Sequence, residues 1–233
     1  MAEKGRIRDR VWNRLEADEI ARFPFPPHGR ITNFEGATEA AERAMALPEL
    51  SAANAVKANP DAPQLPLRRK LLKNGTTVYM AVPRLAEKSC FVELDPETIS
   101  DLDAAATVSH MDEYGRRVTP DALDAIDAIV VGSVAVTTDG TRIGKGEGYS
   151  DLEYAILREL GLADDETPVM TTVHDAQIID DEVTPDSYDV PIDVICTPTR
   201  TIRTDAGSKP AGIEWSELTA MQRDEIPILE SLR

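Results

Sequence analysis

Apolar runs with no polar alternation constrain this chain more than any other feature. AIDAIVVGSVAV at 125–136, TPVMTTVHD at 167–175, VPIDVICTPTRTI at 190–202 and TTVYMAVP at 76–83 each carry contiguous Val, Ile, Met or Ala. An extended segment that is apolar on both sides must be covered on both sides, which is the condition of strands in a parallel sheet flanked by helices. Helical spacing appears between these runs. Ile7, Val11, Trp12 and Leu15 predict an amphipathic helix from Glu3 to about Ala21, ended by FPFPPHG. A second helix is predicted from Gly36 or Ala37 to Leu47, stopped by Pro48, and a third in QLPLRRKLLKNG, closed by Asn74-Gly75. ANAVKANPDAP reads as a short buried strand and CFVELDP as another, whereas residues 98–119 are polar and weakly periodic and read as a surface excursion. A Thr-Asp-Gly turn at Thr138–Gly140 sends a short strand back, and a helix follows to Leu160 with Gly161 at its C′ position. A last helix is expected from Ser216, with a tail docked by Ile226, Ile228 and Leu229. Alternation of this kind predicts an α/β domain with a mostly parallel sheet. Its ligand site should lie beyond the carboxyl ends of the strands.

The length of 233 residues suits one α/β domain, here placed at 1–205, with 206–233 as a C-terminal helix and docked tail. The net charge of −17 disfavours sequence-independent nucleic-acid binding, which depends on neutralising phosphates. Such acidity is relieved by concentrated salt, and the expectation is a halophilic, archaeal source. The charged N-terminus and the absence of any apolar run near ~18 residues lead to the expectation of a cytoplasmic protein without membrane contact. Cys90 and Cys196 lack metal-ligand or disulfide spacing and read as small buried hydrophobes.

One stretch departs from fold-making patterns. TRIGKGEGYSDLEYAILREL, residues 141–160, sets Gly144, Gly146 and Gly148 beside Arg142 and Lys145 and runs directly into a helix. It is not a P-loop, because Gly144-Lys145 is followed by Gly146, and not a dinucleotide fingerprint, because Asp151 stands three residues after Gly148. Alternate glycines still let backbone N–H groups approach an anion closely. Ser150-x-x-Glu153 matches a capping box, so the helix is expected to start at Asp151 with Ser150 as N-cap, its positive end beside the loop. The whole predicts a polyphosphate site. Asp151 is either a favourable first-turn carboxylate or a ligand for Mg2+, an ion that takes one or two carboxylates together with phosphate oxygens.

RIGKGEGYSDLEYA resembles the glycine-rich signature of the 5-formyltetrahydrofolate cyclo-ligase family. KGRIRDRVW, VKANPDAPQLPLR, VVGSVAV, VHDAQIIDD and DVICTPTRTI resemble its branch of methenyltetrahydrofolate synthetase domain-containing proteins, over residues 4–203. The resemblance implies a three-layer α/β/α fold similar to the phosphosugar isomerase and CoA-transferase class. It implies an enzyme that uses ATP and Mg2+ to convert 5-formyltetrahydrofolate to 5,10-methenyltetrahydrofolate, with ATP and a reduced folate as small-molecule ligands and no partner protein. Lys4 and Arg8 match the family's N-terminal Lys-x-x-x-Arg that grips ATP phosphates. Arg142, Gly144, Lys145, Gly146, Glu147, Gly148, Tyr149 and Ser150 match its ATP and folate loop. Arg142, Lys145 and Tyr149 are the implied catalytic groups, and Asp151 and Asp189 the implied metal ligands, with Asp193 as a fallback.

The chain departs from the family pattern at Tyr149-Ser150, where two tyrosines are usual, at Glu147, and across Val56–Arg69, which replaces a stretch that contributes to folate recognition. Arg68 and Arg69 are either partners for folate carboxylates or charges on the face of a helix. Two other readings remain open: a non-catalytic nucleotide-binding or regulatory module, and a sugar-phosphate isomerase or CoA-transferase for which Glu147 would be the acyl nucleophile.

Overall fold

The computed structural model describes residues 2–233. Helix α1 (Ala2–Ala17) is shorter than its apolar spacing predicted, because Ala21-Arg22 (β1) pairs with Asn33-Phe34 (β2) and folds FPFPPHG into a small ribbon. α2 (Ala37–Met45) follows. Pro48 opens the short α3 (Pro48–Ser51), where its missing N–H costs nothing, and does not act only as a stop. Next come β3 (Ala55–Ala58), α4 (Leu65–Lys73), β4 (Thr77–Ala81) and β5 (Phe91–Leu94).

The expected excursion at 98–119 is structured. Asp101 accepts the N–H groups of Asp103 and Ala104 and caps α5 (Leu102–Ala105); α6 (Met111–Tyr114) follows, and β6 (Arg116–Val118) adds an antiparallel edge to β5. Arg116 and Arg117 are exposed on that edge, so no apolar run announced it; charged edges of this kind deter pairing with other chains. The remaining elements are β7 (Ala128–Val131), β8 (Ala135–Thr137), β9 (Arg142-Ile143), α7 (Tyr149–Glu159), β10 (Val169–Thr172), β11 (Ile178-Ile179), β12 (Val194–Cys196), β13 (Thr201–Arg203) and α8 (Ala220–Glu225).

The main sheet has the order β13-β12-β10-β7-β3-β4-β5-β6, and the five strands from β12 to β4 are mutually parallel. Their side chains explain the assignment: Val56, Val78, Ile129, Val130 and Ile195 are all buried, as contiguous apolar strands require. The chain leaves β3 for β4 on one side, then returns to β7 on the other and continues outward to β10 and β12. Right-handed crossovers in opposite directions place helices on both faces, giving a three-layer α/β/α domain. They also create a topological switch point between β3 and β7.

A second sheet, β11-β8-β9, lies beside the first and carries its own apolar cluster. Ile7, Val11, Trp12 and Leu15 of α1 pack there against Val134, Ala135 and Ile143, which fixes the N-terminal turn of α1 next to the glycine loop. The C-terminal helix begins later than expected. Thr219 and Gln222 form a capping box, and Ser216 lies outside the helix. Ile226, Ile228 and Leu229 are buried against the main core. Both cysteines are buried and unpaired. Among the described residues no helix is long and apolar enough to cross a membrane.

Candidate active site

A cavity of ≈ 430 Å³ opens beyond the carboxyl ends of β3, β4 and β7, at the switch point of the sheet. Asn59-Pro60-Asp61 leaves β3, Val82-Pro83-Arg84 leaves β4 and Gly132 leaves β7 into its walls. Lys4 and Arg8 of α1, the whole stretch Arg142–Asp151, and Asp189 also line it, so the residues singled out from sequence converge on one site although they span most of the chain.

The loop is built as its glycines suggested. Gly146 and Gly148 have φ of +102° and +74°, a region closed to most side chains. Space is short as well. An added Cβ would lie 3.2 Å from Arg8 Cζ at Gly146 and 2.9 Å from Arg142 Nη1 at Gly144. The helix does not start as expected: Gly148 is the N-cap and Tyr149 the first helical residue, with no side-chain cap. Ser150 and Glu153 are occupied elsewhere. Ser150 Oγ meets the Asn59 carboxamide, and Glu153 pairs with Lys57, which is fully buried on β3 and also donates to Asn59 Oδ1 at 2.7 Å. The capping-box match therefore reported a buried network joining α7 to β3. Without a side-chain cap, the first amides of α7 keep their donors for a ligand.

Four of the cations that line the cavity differ in kind. Lys4 Nζ bonds Asp186 Oδ2 at 2.7 Å and Asp189 Oδ2 at 2.5 Å. Burial opposes its charge, but these two carboxylates outweigh burial and hold the ammonium above the usual lysine range. Arg8 donates Nε–H to Gly144 O at 2.6 Å, and burial, partly offset by Asp189, lowers its pKa. Lys145 is partly exposed and pairs with Glu147 at 2.8 Å. Arg142 is buried. Its Nη1 donates to Gly132 O at 3.1 Å and its Nη2 lies 2.5 Å from each oxygen of Asp151, whose Oδ1 also accepts the Val190 N–H at 3.1 Å. Burial works against the Arg142 charge, yet Asp151 prevails and raises its pKa.

This geometry gives Asp151 a role beside the expected one: both of its oxygens accept from Arg142, so it serves as counter-ion to the arginine under the loop. Asp189 uses Oδ2 for Lys4 and for the Asp186 N–H, which leaves its other oxygen lone pairs for a cation. Among the described residues no three His, Cys, Asp or Glu side chains are grouped to hold a metal, so a divalent ion fits only where phosphates supply most of its ligands. Asp193, the fallback, accepts the Val169 N–H and pairs with Lys209 away from the cavity.

Two arginine candidates are also corrected. Arg68 is buried and donates to the carbonyls of Asn59, Asp61 and Ala106, with burial lowering its pKa to about 10. It shapes the β3 loop from behind and cannot reach a folate carboxylate. Arg69 lies on the surface with Asp103. Conversely, sequence reasoning passed over Asp61, which lines the cavity; burial raises its pKa, opposed by Lys145. The signal available was a single acidic residue in Asn59-Pro60-Asp61 directly after a buried strand. Also passed over was the tail, since Glu214, Glu217, Leu218, Thr219 and Gln222 complete the wall.

A sequence model of the 5-formyltetrahydrofolate cyclo-ligase family matches residues 1–198. The methenyltetrahydrofolate synthase domain-containing protein of Bos taurus is 42% identical over 232 residues, covering 97% of this chain and 61% of that protein. Its Homo sapiens counterpart is 39% identical over 232 residues, covering 97% and 60%. The chain thus spans about three fifths of the length of these curated relatives. The NMR structure of Aquifex aeolicus 5,10-methenyltetrahydrofolate synthetase matches with a TM-score of 0.54 at 20% identity, covering 88% of this chain and 95% of that one, which establishes a shared fold. By the extent of the family match and the identity to these relatives, the chain belongs to the 5-formyltetrahydrofolate cyclo-ligase family.

Proposed function

We propose that the cavity binds ATP with Mg2+ and a reduced folate, and that the protein is a 5-formyltetrahydrofolate cyclo-ligase. One observation carries this reading: Lys4, Arg8 and Lys145 converge on a bare-backbone loop at the uncapped start of α7, inside a cavity at the switch point of the sheet. A triphosphate matches that concentration of donors. Residues 1–205 would form the cyclo-ligase-like domain and 206–233 its docked tail; a cytoplasmic location fits ligands of this kind.

In the reaction the 5-formyl oxygen forms a bond to the γ-phosphorus as the bond to the β-phosphate oxygen breaks, releasing ADP. N10 then bonds the formyl carbon, the carbon–oxygen bond breaks, phosphate departs and the N10 proton is lost, giving the 5,10-methenyl product. A formamide oxygen is a weak nucleophile, so positioning and charge neutralisation must carry the rate. Lys145 and the Gly146 and Gly148 amides would neutralise the γ-phosphate, Lys4 and Arg8 the other phosphates, and Tyr149 would wall the folate. Arg142, fixed by Asp151, would hold the loop in shape. Magnesium, when bound, would supply further charge neutralisation, with Asp189 as its protein ligand beside phosphate oxygens.

A second reading, a nucleotide-binding module without catalysis, is favoured by the burial of Arg68 and by serine at 150, both of which subtract from a folate pocket. The CoA-transferase alternative loses support, because Glu147 is exposed and paired with Lys145. The deciding experiment incubates the protein in high salt with 5-formyltetrahydrofolate and MgATP and follows the methenyl chromophore. Its appearance supports the enzyme; calorimetric binding of ATP without folate binding or chromophore supports the module.

A further inference from the structure

The family match ends at residue 198, yet a later segment builds one wall of the cavity. That segment is held at two places. On one side Lys209 donates to Thr167 O at 2.8 Å and pairs with Asp193 at 2.8 Å, while Glu159 Oε2 accepts the Ile213 N–H at 3.2 Å. The carboxylate also fills the space at Gly212, where an added Cβ would come within 2.5 Å of it. On the other side Ile226 and Leu229 are buried in the main core. Residues 214–225 cross the cavity between these anchors as a strap.

Within the strap the Gln222 carboxamide has a fixed orientation. Its Oε1 accepts the Thr219 N–H at 3.0 Å and the Thr219 hydroxyl at 3.1 Å, so Nε2 is turned away from the helix cap. That nitrogen faces the glycine loop, 3.7 Å from where a Cβ on Gly148 would stand. Glu214 and Glu217 on the same strap would repel an anion, which leaves Gln222 as the strap group suited to face one.

We propose that Gln222 is a further anion-binding residue: its Nε2–H groups donate to a phosphoryl oxygen of a nucleotide or polyphosphate seated on Gly146–Gly148, and the ligand thereby orders the strap. Thr219 is a positioning residue that aims the carboxamide. This inference rests on the nucleotide reading above.

The test is calorimetric titration of the full chain with MgATP, and separately with inorganic tripolyphosphate, for the parent protein and for Gln222→Ala, Gln222→Glu and Thr219→Ala. Tryptic cleavage after the exposed Arg223 is timed with and without ATP. Gln222→Glu retains the acceptor that caps the helix, so the strap keeps its fold while a carboxylate replaces the donor. The expected result is a Kd raised about tenfold by Gln222→Glu and about threefold by Gln222→Ala, with a smaller rise for Thr219→Ala. ATP should slow cleavage of the parent severalfold. A Gln222→Glu variant that binds within twofold of the parent overturns Gln222 as an anion ligand, and an unchanged cleavage rate overturns the ordering of the strap. If the parent binds neither anion, the nucleotide reading itself falls, and this inference with it.

Discussion

Arg142 Nη2 lies 2.5 Å from both carboxylate oxygens of Asp151, with both side chains buried beneath the glycine loop. A buried pair of this kind is costly to break from one side, because the surviving charge has no water to turn to. Asp151→Asn should therefore destabilise the protein by about 3–5 kcal/mol, or roughly 10 °C in Tm. Arg142→Met should do the same, and the double variant Arg142→Met/Asp151→Leu should recover most of the loss. Thermal melts of the three variants check this. A loss in the double variant equal to the sum of the two single losses would show that the two residues act separately.

Lys145 presents the opposite case. It is partly exposed and its ion pair with Glu147 is with a neighbour in the same loop, so little stability depends on it. Lys145→Ala should leave Tm within about 1 °C while raising the ATP Kd by about tenfold, the cost of losing one charge-assisted contact to phosphate. Calorimetry and a thermal melt on the same sample separate the two effects; unchanged affinity would remove Lys145 from the site.

Much of this arrangement was legible in the sequence, for reasons that can be named. β4, β7 and β12 are largely apolar on both faces, which few structures other than a covered parallel sheet tolerate. The glycines at 146 and 148 marked positive φ before any coordinates did. Hidden from the sequence were pairings between segments far apart in the chain. Ser150-x-x-Glu153 looked like a local cap because spacing alone cannot reveal that Lys57, nearly a hundred residues earlier, lies beside Glu153 and draws it into the core. The Arg142–Asp151 pair is close in the chain, yet spacing alone did not show that β9 and the first turn of α7 bring the two side chains together. Arg68 looked like surface charge on a helix, while its Nε and Nη1 donate to the carbonyls of Ala106, Asn59 and Asp61. The helix and docked tail were legible, but not their place at the cavity, because nothing in Thr219-Ala220-Met221-Gln222 marks a ligand wall and only the buried anchors reveal where the strap lies.

Asp61 gives a pH dependence with a definite sign. Burial raises its pKa, so the folded state binds the proton more tightly than the unfolded chain does. Its stabilising contribution is complete below the ordinary carboxylate pKa and is lost as pH rises through the folded value. Above the folded value the ionised, partly buried group is thus a liability that a ligand site accepts. Asp61→Asn should raise Tm by a few degrees at pH 7 and converge with the parent near pH 3, as read by scanning calorimetry across that range. A variant less stable at neutral pH would mean that the carboxylate is ionised and well partnered.

The charge of −17 leads to a last expectation, which separates screening from general salt effects. Surface pairs such as Arg117–Asp112 and Arg116–Glu93 are attractive and weaken with salt. Acidic residues, however, outnumber basic ones by 42 to 25, so repulsion dominates the sum and its relief should stabilise the fold. Screening of this origin is nearly complete once the Debye length falls to a few ångströms, at about 1 M salt, and it does not depend on which monovalent anion is used. Tm should therefore climb steeply between about 0.05 and 0.5 M KCl and then flatten. Sulfate should add a further, unsaturating rise through its exclusion from the protein surface. A Tm that is flat or falling over the lower range would show that the attractive pairs outweigh the excess of carboxylates, and would remove the physical basis for linking this composition to a saline environment.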